Sequence, residues 1–161
     1  MILILDTSFE KIDVTVKEYL SQAYRLEQRI HLSQLELEQL RELMVSVSAI
    51  SSGENYNATR NTDAPFEKVL FKVMEMEEKE GIMLDELLAF KKELKTVIDA
   101  IENKDERLVM HYRYFCNMKW TQIADTLGWD ARTIKRWHNK AIAKIVIPEN
   151  PTIIDKNLKK S

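Results

Sequence analysis

The chain has 161 residues, 45% hydrophobic and 31% charged, with a formal net charge of -2. That length suits one medium domain or two small ones. Its three glycines and three prolines are too few for the many tight turns of sandwiches and barrels, so the expected fold is all-α.

MILIL at the start is too short to span a bilayer, lacks a basic lead-in and is followed by Asp6. No other stretch reads as a membrane span. Cys116 is the single cysteine, which excludes an internal disulfide and fits a reducing compartment. These features predict a soluble protein of the cytoplasm with no membrane partner.

From residue 14 to about 47 the sequence lacks Gly and Pro. Val16, Tyr19, Ala23, Leu26, Ile30, Ser33, Leu37, Leu40, Met44 and Val47 follow alternating steps of three and four, with Ser33 the one polar member. That is a heptad seam, the mark of a helix packed lengthwise on another. The stretch SSGENYNATRNTDAP then reads as a long loop. A second helix is expected from near Pro65, capped by Thr62 or Asp63, to about residue 102. Phe66, Val69, Val73, Met76, Glu80, Met83, Leu87, Phe90, Leu94, Val97 and Ile101 repeat the same steps. Gly81 beside Glu80 suggests a bend or brief break.

Two helices of matching length predict an antiparallel, coiled-coil-like hairpin over residues 14–102. A hairpin alone buries little, so a homodimer forming a four-helix bundle is the expected assembly. The alternative is that the basic end folds back over the seam.

The chain changes character after residue 103. Residues 1–106 carry 13 Lys and Arg against 22 Asp and Glu, whereas residues 107–161 carry 11 against 4. An acidic scaffold with a basic end fits a polyanion-binding module, although two solvated surfaces would give the same balance. KDERLVMHYRYFCNMKW reads as a helix with Asp105 near its start. Leu108, Val109, Tyr112 and Phe115 or Cys116 are its expected inner face.

Two more helices are expected, at about 121–127 and 131–145, so residues 105–146 form a three-helix domain. In QIADTLGWDARTIKRW, Ile123 and Leu127 share a face, Ala124 permits a close crossing, and Gly128 ends the first helix with positive φ. Asp130 can cap the second helix, and Ile134, Trp137, Ala141 and Ile145 form its inward stripe. This spacing is the helix-turn-helix pattern. All three tryptophans fall within 18 residues here. Trp129 and Trp137 are expected to point inward and fill a small core, with Trp120 packing under its edge.

Arg132, Thr133, Lys135, Arg136, Asn139 and Lys140 then face outward on the second helix. Arg reads guanine edges, Asn reads adenine and Lys meets phosphate, so this face suits the major groove of double-stranded DNA. Arg132, Thr133, Lys135, Arg136 and Asn139 are the groove candidates. Lys119, Thr121, Gln122, Lys140 and Arg113 are the phosphate-side candidates. The tail PENPTIIDKNLKKS, within residues 147–161, is expected to be loose.

The segment resembles the fourth region of bacterial sigma-70 factors and related response-regulator output domains. The matching positions are Arg113 and Tyr114, Ile123 and Ala124, Leu127 and Gly128, and the basic run 132–144. Lys119 stands where those proteins carry a serine, and Trp129 and Trp137 are bulkier than their usual counterparts. Over about 140 residues the chain also resembles the RinA/ArpU-like late transcriptional regulators of phages of Gram-positive hosts. That resemblance implies a phage late-gene activator working with host RNA polymerase in the bacterial cytoplasm. A sigma-like polymerase adaptor and a small terminase-type packaging protein remain alternatives.

No catalytic set is legible. His31, His111 and His138 are far apart, Cys116 has no partner cysteine, and the isolated glycines form no phosphate loop. The expectation is a non-enzymatic protein without metal or cofactor.

Overall fold

The computed structural model describes residues 14–51 and 63–154. Within them lie five helices: α1 (Val16–Ser51), α2 (Asp63–Asp99), α3 (Lys104–Tyr114), α4 (Trp120–Leu127) and α5 (Ala131–Lys144). No strand occurs among the described residues, and the fold is all-α. The loop predicted after α1 falls largely outside them, as does the Thr62 cap.

α1 starts on a reciprocal cap. The Thr15 hydroxyl accepts the Glu18 N–H at 3.3 Å, and the Glu18 carboxylate accepts the Thr15 N–H at 3.0 Å. Two otherwise orphaned donors are thereby satisfied. The Thr15 hydroxyl also donates to that carboxylate, and these bonds hold Glu18 below the usual carboxylate range.

α1 and α2 run antiparallel, as the paired seams require. The cross-links climb one helix as they descend the other: Tyr19 to Glu93 at 2.6 Å, Glu27 to Lys91, Gln34 to Glu80 at 3.0 Å, and Arg41 to Glu77 at 2.6 Å. Every seam residue named from the sequence is buried or half-buried, Ser33 and Glu80 included. α2 continues through Gly81 without a break.

Burial is strongest at the base of the hairpin. Tyr19, Leu20, Ala23, Phe90, Leu94 and Ile98 are fully buried, and Tyr19 meets Phe90 edge to face at 5.3 Å. Each large apolar side chain buried there contributes about 1.5–3 kcal/mol. The same cluster takes in Met110 of α3, Ala141 of α5, Ile145 and Ile154. The head therefore packs directly on the base of the hairpin, while keeping a second, smaller cluster of its own.

The corner between them is tight. α2 stops at Asp99, three residues short of the predicted end. The Arg107 guanidinium donates to the Asp99 and Ile101 carbonyls at 3.3 Å each, and His111 pairs with Asp99 at 2.9 Å. Asn103 caps α3 by accepting the Glu106 N–H at 3.0 Å.

Two expectations need correction. Leu108 is exposed, whereas Met110 is fully buried. α3 lies between two packing surfaces: Val109 enters the core of the head, and Met110 enters that of the hairpin. A single inner face could not serve both. Cys116, one of two candidates for that face, is exposed.

The tail is the second. Residues 147–154 are not loose but lie along the hairpin. Gln22, fully buried, accepts the Ile154 N–H at 2.9 Å and donates to the Thr152 carbonyl at 3.3 Å. Thr152 in turn donates its N–H at 3.2 Å and its hydroxyl to Glu93. Pro148 and Pro151 fix φ and keep the segment out of helix, so it is available to bond sideways.

Candidate nucleic-acid interface

The head is built around the turn between α4 and α5. Gly128 adopts φ 70° and ψ 29°, the left-handed conformation that glycine enters without steric cost, and its N–H closes α4 on the Ala124 carbonyl. Asp130 then caps α5: one oxygen accepts the Thr133 N–H at 2.9 Å and the other its hydroxyl at 2.7 Å. Those bonds hold the Asp130 carboxyl below its ordinary range.

Lys119 occupies the cap position of α4. An ammonium has no acceptor, so it cannot cap as serine does. Gln122 compensates, its Oε1 accepting the Lys119 N–H at 2.8 Å.

Val109, Ile123, Ala124 and Ile134 form the buried centre of the head, with Tyr112, Met118, Trp120, Leu127, Ala131 and Trp137 packed around it. The tryptophans divide differently from the expectation. Trp129 is 56% exposed and lies edge to face on Trp137 at 5.5 Å. It is the middle residue of the three-residue link between α4 and α5, between Gly128 and the Asp130 cap, where no second layer covers it. Trp120 takes the structural part instead. The Arg113 guanidinium lies 4.6 Å above its ring, and His138 meets it edge-on at 4.8 Å.

His138 is the buried polar centre of α5. Its Nε2 pairs with the Tyr114 hydroxyl at 2.9 Å. Burial pulls its pKa down to about 4, and the nearby Lys17 and Arg113 charges add to the effect, so the ring is neutral at pH 7. Burial likewise pushes the Tyr114 phenol upward.

Opposite this buried side, Arg132, Lys135, Arg136, Asn139 and Lys140 are all exposed. With Asp130, Thr133 and Ala143 they line one open groove along α5. Thr133 is half-buried, and its hydroxyl is committed to Asp130. Lys119, Thr121 and Gln122 are exposed at the start of α4. Arg113 is placed otherwise than a phosphate contact would need. Besides covering Trp120, it donates to the Met118 carbonyl at 2.9 Å and so secures the turn between α3 and α4.

Sequence reading missed one charged pair of the head. Glu106, 3% exposed, accepts from Lys144 at 2.6 Å and ties the first turn of α3 to the last turn of α5. Partners 38 residues apart leave no local signature.

Fold and site together define a small all-helical protein: a long hairpin bearing a helix-turn-helix head with one cationic helix face. The chain belongs to the family described as "Protein of unknown function (DUF1492)", whose model matches residues 58–146, spanning α2 and the head. No curated protein and no solved structure matches it. Among the described residues, no helix is long and apolar enough to cross a membrane.

Proposed function

We propose that the chain is a sequence-specific binder of double-stranded DNA that regulates transcription, with α5 as its reading helix. One observation carries this reading. Arg132, Lys135, Arg136 and Asn139 are exposed together on the face of α5 opposite its buried stripe. Bidentate guanidinium and carboxamide groups on one helix match the donor and acceptor pattern of major-groove base edges. Lys140 and Lys119, with Thr121 and Gln122, flank that face and suit phosphate oxygens.

The resemblance to phage late regulators narrows the proposal to an activator acting with host RNA polymerase in the bacterial cytoplasm. The protein works as a homodimer joined through the hairpin and performs no catalysis.

Selection of bound duplexes from a random pool tests this reading. The expected result is an enriched motif that Arg136→Ala weakens. Recovery of unenriched sequence by the purified protein, at low and at moderate salt, would overturn it.

A further inference from the structure

α2 carries a second apolar stripe besides the seam that faces α1. Leu70, Met74, Leu84 and Leu88 are 36%, 55%, 38% and 66% exposed. With Glu77 and Gly81 between them they keep alternating steps of four and three, the period of a helix seam. Met74 and Leu88 are more than half exposed; Leu70 and Leu84 keep over a third of their surface open, Leu84 beside Gln34, Leu37 and Arg41 of α1. The other exposed apolar side chains of the hairpin, such as Leu32, Phe71 and Ile82, lie off this line.

Gly81 sits inside the stripe without an internal reason. A glycine in the middle of a helix weakens it relative to alanine. A Cβ added there would meet nothing within 4 Å, so no neighbour in the chain requires its absence.

We propose that this stripe is the interface to a second copy of the chain, packed antiparallel about a two-fold axis near residue 79 of α2. The order of side chains along the stripe is self-complementary in that arrangement. Leu70 meets the partner's Leu88, and Met74 meets the partner's Leu84. Glu77, which holds Arg41 at 2.6 Å, meets the partner's Gly81, the one position with room for an ion pair. At each end Glu67 meets the partner's Lys91. Lys91 already bonds Glu27 of its own chain and has further N–H donors for a second carboxylate. A parallel pairing would instead set Glu67, Glu77 and Lys91 each against its own copy, and facing like charges repel.

This assigns a face and a direction to the dimer in the functional reading and does not depend on DNA being the ligand. It carries one consequence for that reading. The C-terminal end of α2 lies 20 residues from the axis. At about 1.5 Å per residue the two heads sit at opposite ends of the bundle, about 60 Å apart. That is somewhat under two turns of duplex, at about 34–36 Å per turn.

The test uses the full chain without DNA. Sedimentation should give a dimer, and Leu84→Glu with Leu88→Glu should give a folded monomer with unchanged helical circular dichroism. Arg136→Ala should leave the mass unchanged, so loss of DNA binding and loss of dimer are told apart. Direction is read by cysteine pairing in a Cys116→Ser background. A mixture of Leu70→Cys and Leu88→Cys chains should oxidise to a covalent dimer, and either chain alone should not. A wild-type monomer at about 100 µM, far above the dissociation constant of a stable dimer, overturns the proposal. So does a disulfide formed by Leu70→Cys alone, which would mark a parallel pairing.

Discussion

Gln22 holds Ile154 as one strand holds another: its Oε1 accepts the Ile154 N–H at 2.9 Å while its Nε2 reaches the Thr152 carbonyl at 3.3 Å. A single carboxamide on α1 thus supplies both halves of a ladder rung and fastens the end of the head to the hairpin. Gln22→Leu keeps the volume and removes both bonds. It leaves a buried N–H and a carbonyl unpaired, at a cost of about 1–3 kcal/mol. Urea unfolding should show that loss, and hydrogen exchange at residues 152–154 should quicken. Unchanged exchange there would mean that the strap is held by its isoleucines alone.

The tryptophans give a second, comparative prediction. Trp120 lies between the Arg113 guanidinium and the His138 ring, whereas Trp129 is more than half exposed. Trp120→Ala should therefore cost about 3 kcal/mol, near the lower end for removing a packed tryptophan. Trp129→Ser should stay within about 1 kcal/mol of the parent. Thermal melts of the two variants side by side decide the matter, and a larger loss at Trp129 would contradict the packing described.

Trp120 and Trp129 differ in how far local sequence determines their surroundings. Period and punctuation are local signals, and they located all five helices, both hairpin seams, the Gly128 turn and the Asp130 cap. The outward face of α5 was legible for the same reason: its complement, Ile134, Trp137, Ala141 and Ile145, recurs at helical spacing. What failed depends on contacts distant in sequence. Trp129 lies in a three-residue link that has no period, so no local pattern sets its direction. The period of α3 alone implies one partner and an inward Leu108, whereas Val109 and Met110 serve two. Gln22 looked like an ordinary polar residue on the seam's flank, and its partners lie about 130 residues away. Arg113 carries a charge that suits phosphate equally well, and only its carbonyl and indole partners assign it to the turn.

If α5 reads bases and the flanking lysines meet phosphate, the two kinds of side chain should separate in their salt dependence. Arg136→Ala should lower affinity for the selected site by about 1–3 kcal/mol and relax preference at one or two base pairs. Lys140→Ala should weaken selected and unselected duplexes alike and flatten the log–log salt slope by about 1. With Lys119 and Lys140 neutralising about two phosphates per head, the parent slope should be about -1.8 per head. Equal loss of specificity from both substitutions would remove the assignment of separate roles.

His138 gives the head a pH dependence whose sign is fixed by its burial. In the folded chain its pKa is about 4, against 6.5 for the free side chain. Between those values the unfolded chain takes up a proton that the folded chain refuses, so protonation favours unfolding. The stabilisation is fully present above about pH 6.5 and is lost progressively as the pH falls towards 4, amounting to roughly 3 kcal/mol over the whole window. The depressed carboxyls of Glu18 and Asp130 titrate below the usual carboxylate range and leave the upper part of the window to histidine. Denaturant unfolding at pH 7 and pH 5 should therefore differ by about 2 kcal/mol in the parent. In His138→Gln that difference should largely vanish, even though the variant also weakens the contact with Tyr114 and is less stable at pH 7. A pH response that persists undiminished in the variant would place the His138 proton balance elsewhere than in the fold.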